Sequence, residues 1–146
     1  MTPKITRQSA QRILSSVILG GFLFASGSAL GAPRVISGQW EYTMTTDGQE
    51  EPRKITSCMS VAEAAAYNGD LATVRAFFEK KQRGLCKIKT VEVQANSVSY
   101  FLSCGERTIE NKITFHGDTS ESVSVAKGPE GTQTMRTKAR RLGACP

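Results

Sequence analysis

The chain has 146 residues, 19 of them basic and 13 acidic, for a formal net charge of +6. Three of the basic residues, Lys4, Arg7 and Arg12, lie in the first dozen positions, so the remainder carries a formal excess of only three. That length supports one domain with a modest core and excludes two, and so small and dispersed an excess argues against a nucleic-acid binder.

The three early cations precede an apolar run, Ile13 to Ala25, and small residues follow at Gly27-Ser28-Ala29. A positive n-region, a short h-region and a small-residue site make a secretory signal peptide. Cleavage is expected after Ala29, with Gly31 as the neighbouring option and Pro33 disfavouring a cut after Ala32. The run falls short of the ~20 apolar residues of a spanning helix. Residues 1–29 are therefore expected to be removed, leaving a single β-rich domain over residues 30–146 that is periplasmic or secreted and not membrane-spanning.

Trp40, Tyr42 and Met44 alternate with Glu41, Thr43 and Thr45, the period of a strand with one buried face, and Asp47-Gly48 turns the chain. A second strand covers about Arg53 to Met59. Ser60 with Glu63 three positions on forms a capping box and starts a short helix ending at Gly69. Asp70 caps a second helix with Leu71, Val74, Phe77 and Phe78 on one face; Lys80, Lys81 and Arg83 lie toward its C-terminal end, and Gly84 stops it. From Cys86 the pattern is strands alone: Lys87 to Gln94, a tight turn at Ala95-Asn96, then Ser97 to Cys104. Ile109, Asn111, Ile113 and Phe115 alternate next. His116-Gly117-Asp118 turns into a strand carrying Val123 and Val125, and Gly128-Pro129-Glu130-Gly131 leads to a last strand, about Thr132 to Arg140. Seven strands joined mostly by short turns predict a mainly β fold: an antiparallel meander curled into a small barrel or sandwich, with a helical insert after the second strand.

Cys58, Cys86, Cys104 and Cys145 all follow the expected cleavage site, and an even count in an oxidising compartment reads as two disulfides. No two lie at zinc-ligand spacing, His116 is the only histidine, and there is no Cys-x-x-Cys, so no metal and no cofactor are expected. Three pairings are open. Cys58–Cys86 with Cys104–Cys145 is preferred, because the first staples the helical insert and a two-residue turn at Ala95-Asn96 sets Cys104 opposite Lys87, one residue off Cys86. The Leu142-Gly143-Ala144 tail must then wrap back.

No catalytic constellation is legible. A serine triad needs a base, and His116 reads as an exposed turn residue. Glu50, Glu51, Glu106, Glu110 and Glu121 fall at turns or outward positions, and no glycine loop precedes a helix. Arg136, Lys138 and Arg140 form an outward basic stripe, and Lys80, Lys81, Arg83, Lys87 and Lys89 form a second cluster; solvated surface is the ordinary reading of both, and contact with anionic lipid or polymer the functional one.

Gly38-Gln39-Trp40 resembles the Gly-x-Trp of lipocalin-like barrels, where the tryptophan packs against an arginine near the last strand's end. Strand parity selects Arg141 for that part, and the resemblance implies that it covers the indole of Trp40 and closes a barrel floor. More broadly, the leader, the Gly-x-Trp-Glu strand, Cys58 before a helix, and Cys86 before a hairpin ending at Cys104 make a recognisable layout. With Phe115-His116-Gly117-Asp118 and the ending Arg140-Arg141-Leu142-Gly143-Ala144-Cys145, it resembles the bacterial exported family known as domain of unknown function 3617 over nearly all of residues 30–146. The resemblance implies fold and compartment and no activity.

The expected function is a non-enzymatic exported module binding a small apolar ligand or an envelope partner, with Trp40, Tyr42, Tyr100, Leu102, Phe115 and Arg141 as core or candidate ligand-lining residues. The alternative of a different class is a structural or stress-related interaction protein with a filled core and no ligand cavity.

Overall fold

A computed structural model describes residues 32–146; the expected signal peptide and its cleavage site lie outside the described residues. The elements are β1 (Gly38–Thr46), β2 (Arg53–Met59), α1 (Val61–Asn68), α2 (Leu71–Gln82), β3 (Lys87–Val93), β4 (Ser97–Cys104), β5 (Arg107–Phe115), β6 (Thr119–Gly128) and β7 (Gly131–Gly143). All seven strands belong to one antiparallel sheet in the order β2-β1-β7-β6-β5-β4-β3.

That order corrects a strict meander in one place. Strands β3 to β7 follow one another, but β7 returns to pair with β1, which lies between β7 and β2. The two edges, β2 and β3, are not bonded to each other, so the sheet is open. The connection from β2 to β3 must cross the sheet from edge to edge, and it carries both helices. These supply the second layer that a one-sided apolar sheet requires: Phe78 of α2 meets Tyr100 of β4 with ring centroids 4.4 Å apart, and Tyr67 of α1 meets Phe115 of β5 at 5.7 Å.

The helix signals act as local physics dictates. In α1 the Ser60 hydroxyl accepts from the Glu63 N–H at 3.1 Å, while the Ser60 N–H donates to the Glu63 carboxylate at 3.1 Å. Asp70 accepts from the Thr73 N–H at 2.8 Å and starts α2. Its end differs slightly from expectation: Arg83 itself takes the left-handed conformation (φ 49°), with Gly84 following at φ 77°. Leu71 is half exposed, whereas Val74 and Phe78 are buried.

The core gathers at one end of the sheet. Trp40 and Val98 are fully buried there with Val35, Val74, Phe115 and Ala139. The segment leading into β1 is clamped over it: the Asn68 side chain both accepts from the Val35 N–H (3.0 Å) and donates to the Val35 carbonyl (2.8 Å), mimicking a strand partner. Arg34 donates to the carbonyls of Gln94, Tyr67 and Gly69 at 2.7–3.0 Å, which also closes off the C-terminal carbonyls of α1.

The disulfides are Cys58–Cys145 and Cys86–Cys104, which overturns the preferred pairing. The tight turn does sit where expected, with Val93 opposite Val98 and the Gln94 N–H donating to Ser97 O at 2.8 Å. The register then shifts between Ile88 and Thr90, so that Lys87 faces Ser103 rather than Cys104. Lys89 is the extra residue of a β-bulge, and that single insertion brings Cys86 level with Cys104 at a Cα separation of 4.4 Å. Cys145 reaches Cys58 because Gln39 of β1 pairs with Cys58 on one side and Gly143 on the other. Two residues beyond Gly143, the tail crosses the single intervening strand and closes a Cα distance of 5.6 Å.

Candidate functional site

Antiparallel pairing aligns the inward side chains of the sheet into cross-strand rows, and three of these rows build a cleft. One runs Ile55, Tyr42, Ala139, Ser120, Phe115. The next runs Met44, Thr137, Ser122, Ile113, Val98. In the third, Ser124, Asn111 and Tyr100 lie side by side. Strand β6 therefore presents Ser120, Ser122 and Ser124 to the helix-covered face and turns Val123, 43% exposed, to the other. Small side chains along the middle of the sheet leave a trough where a strand with its valines inward would have filled it.

The trough is a cleft of about 370 Å³, within the range of small-molecule sites. Its floor is Ser57, Ser120, Ser122, Thr137 and Asn111, and Tyr42, Tyr67 and Tyr100 form walls around it. Ile55, Met44, Met59 and Ile113 provide apolar surface, and no charged side chain lines it. Burial pushes all three phenols above the ordinary tyrosine pKa; Tyr67, beside Tyr100 and Tyr42, is displaced furthest. They remain neutral hydroxyls, able both to donate and to accept, at any physiological pH. Asn111 is only 8% exposed, and its Oδ1 is buried without a hydrogen-bond partner. Buried polar atoms are nearly always paired, so an orphan on a residue of the cleft floor marks an unmet interaction.

Of the six core or ligand-lining residues expected from sequence, Tyr42, Tyr100 and Phe115 line this cleft, while Trp40, Leu102 and Arg141 do not. Trp40 is fully buried and its indole N–H donates to Ile36 O at 3.0 Å. Arg141 is the β7 residue opposite Trp40, as parity selected. Its guanidinium donates to Ser37 O at 2.8 Å and lies against Gly38, and the open sheet has no barrel floor for it to close. Gly38 makes this approach possible: at φ 140° and with no Cβ it leaves room for both Arg141 and the Gly143 carbonyl. Sequence reasoning missed Ser57, Ser120, Ser122, Thr137 and Asn111. The local signals were the alternation that puts Asn111 on the face of Ile113 and Phe115 and Thr137 on the face of Ala139, and the alternation of serine with Glu121, Val123 and Val125 in β6, which does not say which set faces inward.

The outward basic stripe is paired throughout, and the second cluster at Lys81. On the open face Arg136 meets Asp47 at 2.9 Å, Arg140 meets Glu41 at 2.9 Å and Lys138 meets Glu121 at 3.9 Å. The last two follow directly from cross-strand register. In the second cluster Lys81 meets Glu63 at 2.7 Å and lies 5.2 Å from the Phe77 ring centroid. A groove between the helices, about 520 Å³ and lined by Phe77, Lys80, Lys81 and Arg83 with Ala62 and Glu63, has no unpartnered buried group. His116 is exposed, and its backbone N–H closes the turn to Thr119 O at 2.8 Å. Among the described residues no group of three or more His, Cys, Asp or Glu side chains is placed to hold a metal ion, and no helix is long and apolar enough to cross a membrane.

No curated protein and no solved structure matches the chain. A family model, described as protein of unknown function (DUF3617), matches residues 35–145, which hold all seven strands, both helices and all four cysteines, and the chain belongs to that family.

Proposed function

We propose that the protein is a non-enzymatic binding module of the bacterial cell envelope whose trough between sheet and helices holds a small uncharged molecule. The trough itself carries the reading: an uncharged cleft of about 370 Å³ lined by hydroxyls, phenols and the amide of Asn111, a buried residue whose Oδ1 has no partner within the protein, and such an unmet acceptor costs about 1–3 kcal/mol. Export fits the rest of the chain: the n-region, h-region and small-residue site of residues 1–29 support cleavage near Ala29, and two disulfides suit an oxidising compartment. The domain that remains, residues 30–146, is read as periplasmic or secreted. The absence of a charged group from the cleft argues for binding rather than acid–base chemistry there.

The test is native mass spectrometry of protein purified from the periplasm, comparing wild type with Ser122→Phe, which fills the middle of the trough. A mass increment carried by the wild type and lost in the variant, with thermal stability kept, supports the proposal. Bare protein in both samples moves the filled-core interaction protein ahead.

A further inference from the structure

We infer that the molecule held by this cleft is a short neutral glycan, a polyhydroxylated ligand and not a hydrocarbon. The inference rests on the binding reading above and adds the chemical class. Four floor residues, Ser57, Ser120, Ser122 and Thr137, carry hydroxyls, and three wall residues, Tyr42, Tyr67 and Tyr100, carry phenols kept neutral by burial. Each can donate or accept, as can each hydroxyl of a sugar, so partners are available in either sense. The side-chain amide of Asn111, whose Oδ1 has no partner within the protein, adds a further polar group to the lining.

Other ligand classes fit less well. An acyl chain or other hydrocarbon would strip water from the serine floor and return no hydrogen bonds, leaving those groups and Asn111 unpaired. An anion finds no cation among the lining residues, and a cation finds no carboxylate. A sugar ring presents C–H surface as well as hydroxyls. The aromatic and aliphatic side chains of Tyr42, Tyr100, Phe115, Ile55 and Met59 offer the apolar surface for that part, beside the hydroxyl-bearing floor. A cavity of about 370 Å³ suits one or two rings.

The experiment uses the exported protein with its disulfides intact, isotopically labelled, and follows the backbone amides of Asn111, Ser120 and Ser122 by NMR. N,N′-diacetylchitobiose, maltose and trehalose are titrated separately, and N-phenyl-1-naphthylamine serves as an apolar probe. The expected result is saturable movement of these amides by at least one disaccharide. Asn111→Leu should weaken that affinity by about tenfold or more through loss of the amide, and Ser122→Val, a milder change, should weaken it less. Saturation by the naphthylamine with none by any sugar overturns the glycan class and leaves the binding site standing. Movement of these amides by none of the four probes overturns both. Sugar binding unaffected in a folded Asn111→Leu or Ser122→Val protein overturns the placement of the glycan in this cleft.

Discussion

Removing each disulfide in turn separates the two links by magnitude. Cross-linking a chain lowers the entropy of its unfolded state by an amount that grows with the logarithm of the loop closed. Cys58–Cys145 spans 87 residues, worth about 4.6 kcal/mol, and Cys86–Cys104 spans 18, worth about 3.2 kcal/mol. Each double variant keeps the other link, so Cys58→Ala/Cys145→Ala should be about 1.4 kcal/mol less stable than Cys86→Ala/Cys104→Ala in urea unfolding at neutral pH. Under the pairing Cys58–Cys86 with Cys104–Cys145, each of these variants would break both links, and the two would lose stability equally. Non-reducing peptide mapping reads the connectivity directly. A peptide joining Cys58 to Cys86, or a larger loss on removing the inner link, would refute the reasoning.

Trp40→Ala should cost about 3–5 kcal/mol, since the side chain is fully buried in the core. Gly38→Ala should cost about 1–3 kcal/mol in the same unfolding assay, because a Cβ at positive φ would meet the Gly143 carbonyl and the Arg141 guanidinium; an unchanged midpoint would show that Arg141 does not grip this backbone. Acid should loosen the helical layer first. The Lys81 ion pair and the Ser60 N–H hold the Glu63 carboxyl below its ordinary 4.5, and the Thr73 N–H holds Asp70 below 3.8. Both carboxylates have folded pKa values lower than unfolded ones, so their stabilisation is complete above those ordinary values and is lost as pH falls through the lowered folded values. Circular-dichroism melts from pH 6 to 3 should show falling stability with a shallower slope in Glu63→Gln; equal slopes would count against the cap and ion pair.

Much of the fold was legible because its signals are local. Alternation in Trp40, Tyr42 and Met44, the Ser60/Glu63 box, the Asp70 cap and the turn residues depend on neighbours within four positions, and each marks its element. The even cysteine count similarly depends on composition alone. The β7 parity that put Arg141 on the face of Ala139 held for the same reason, since strand period is fixed by backbone geometry.

What only the tertiary structure decided is which strand lies beside which and which face is covered. The return of β7 to β1 sets Gly143 one strand from Cys58, and so determines that link; nothing within a few residues of Cys145 encodes it. The bulge at Lys89 moves the register by one position, enough to exchange one pairing of cysteines for another, yet lysine in a strand carries no distinctive signal. The candidate site is the clearest case. Strand β6 alternates small polar residues with Glu121, Val123 and Val125, and hydrophobicity alone would turn the valines inward. The rows formed with Phe115, Ile113, Ala139 and Thr137 turn the serines inward instead, because side-chain facing in a central strand is set by register with its neighbours and not by its own composition. The trough, its hydroxyl floor and the orphan acceptor of Asn111 exist only through that choice.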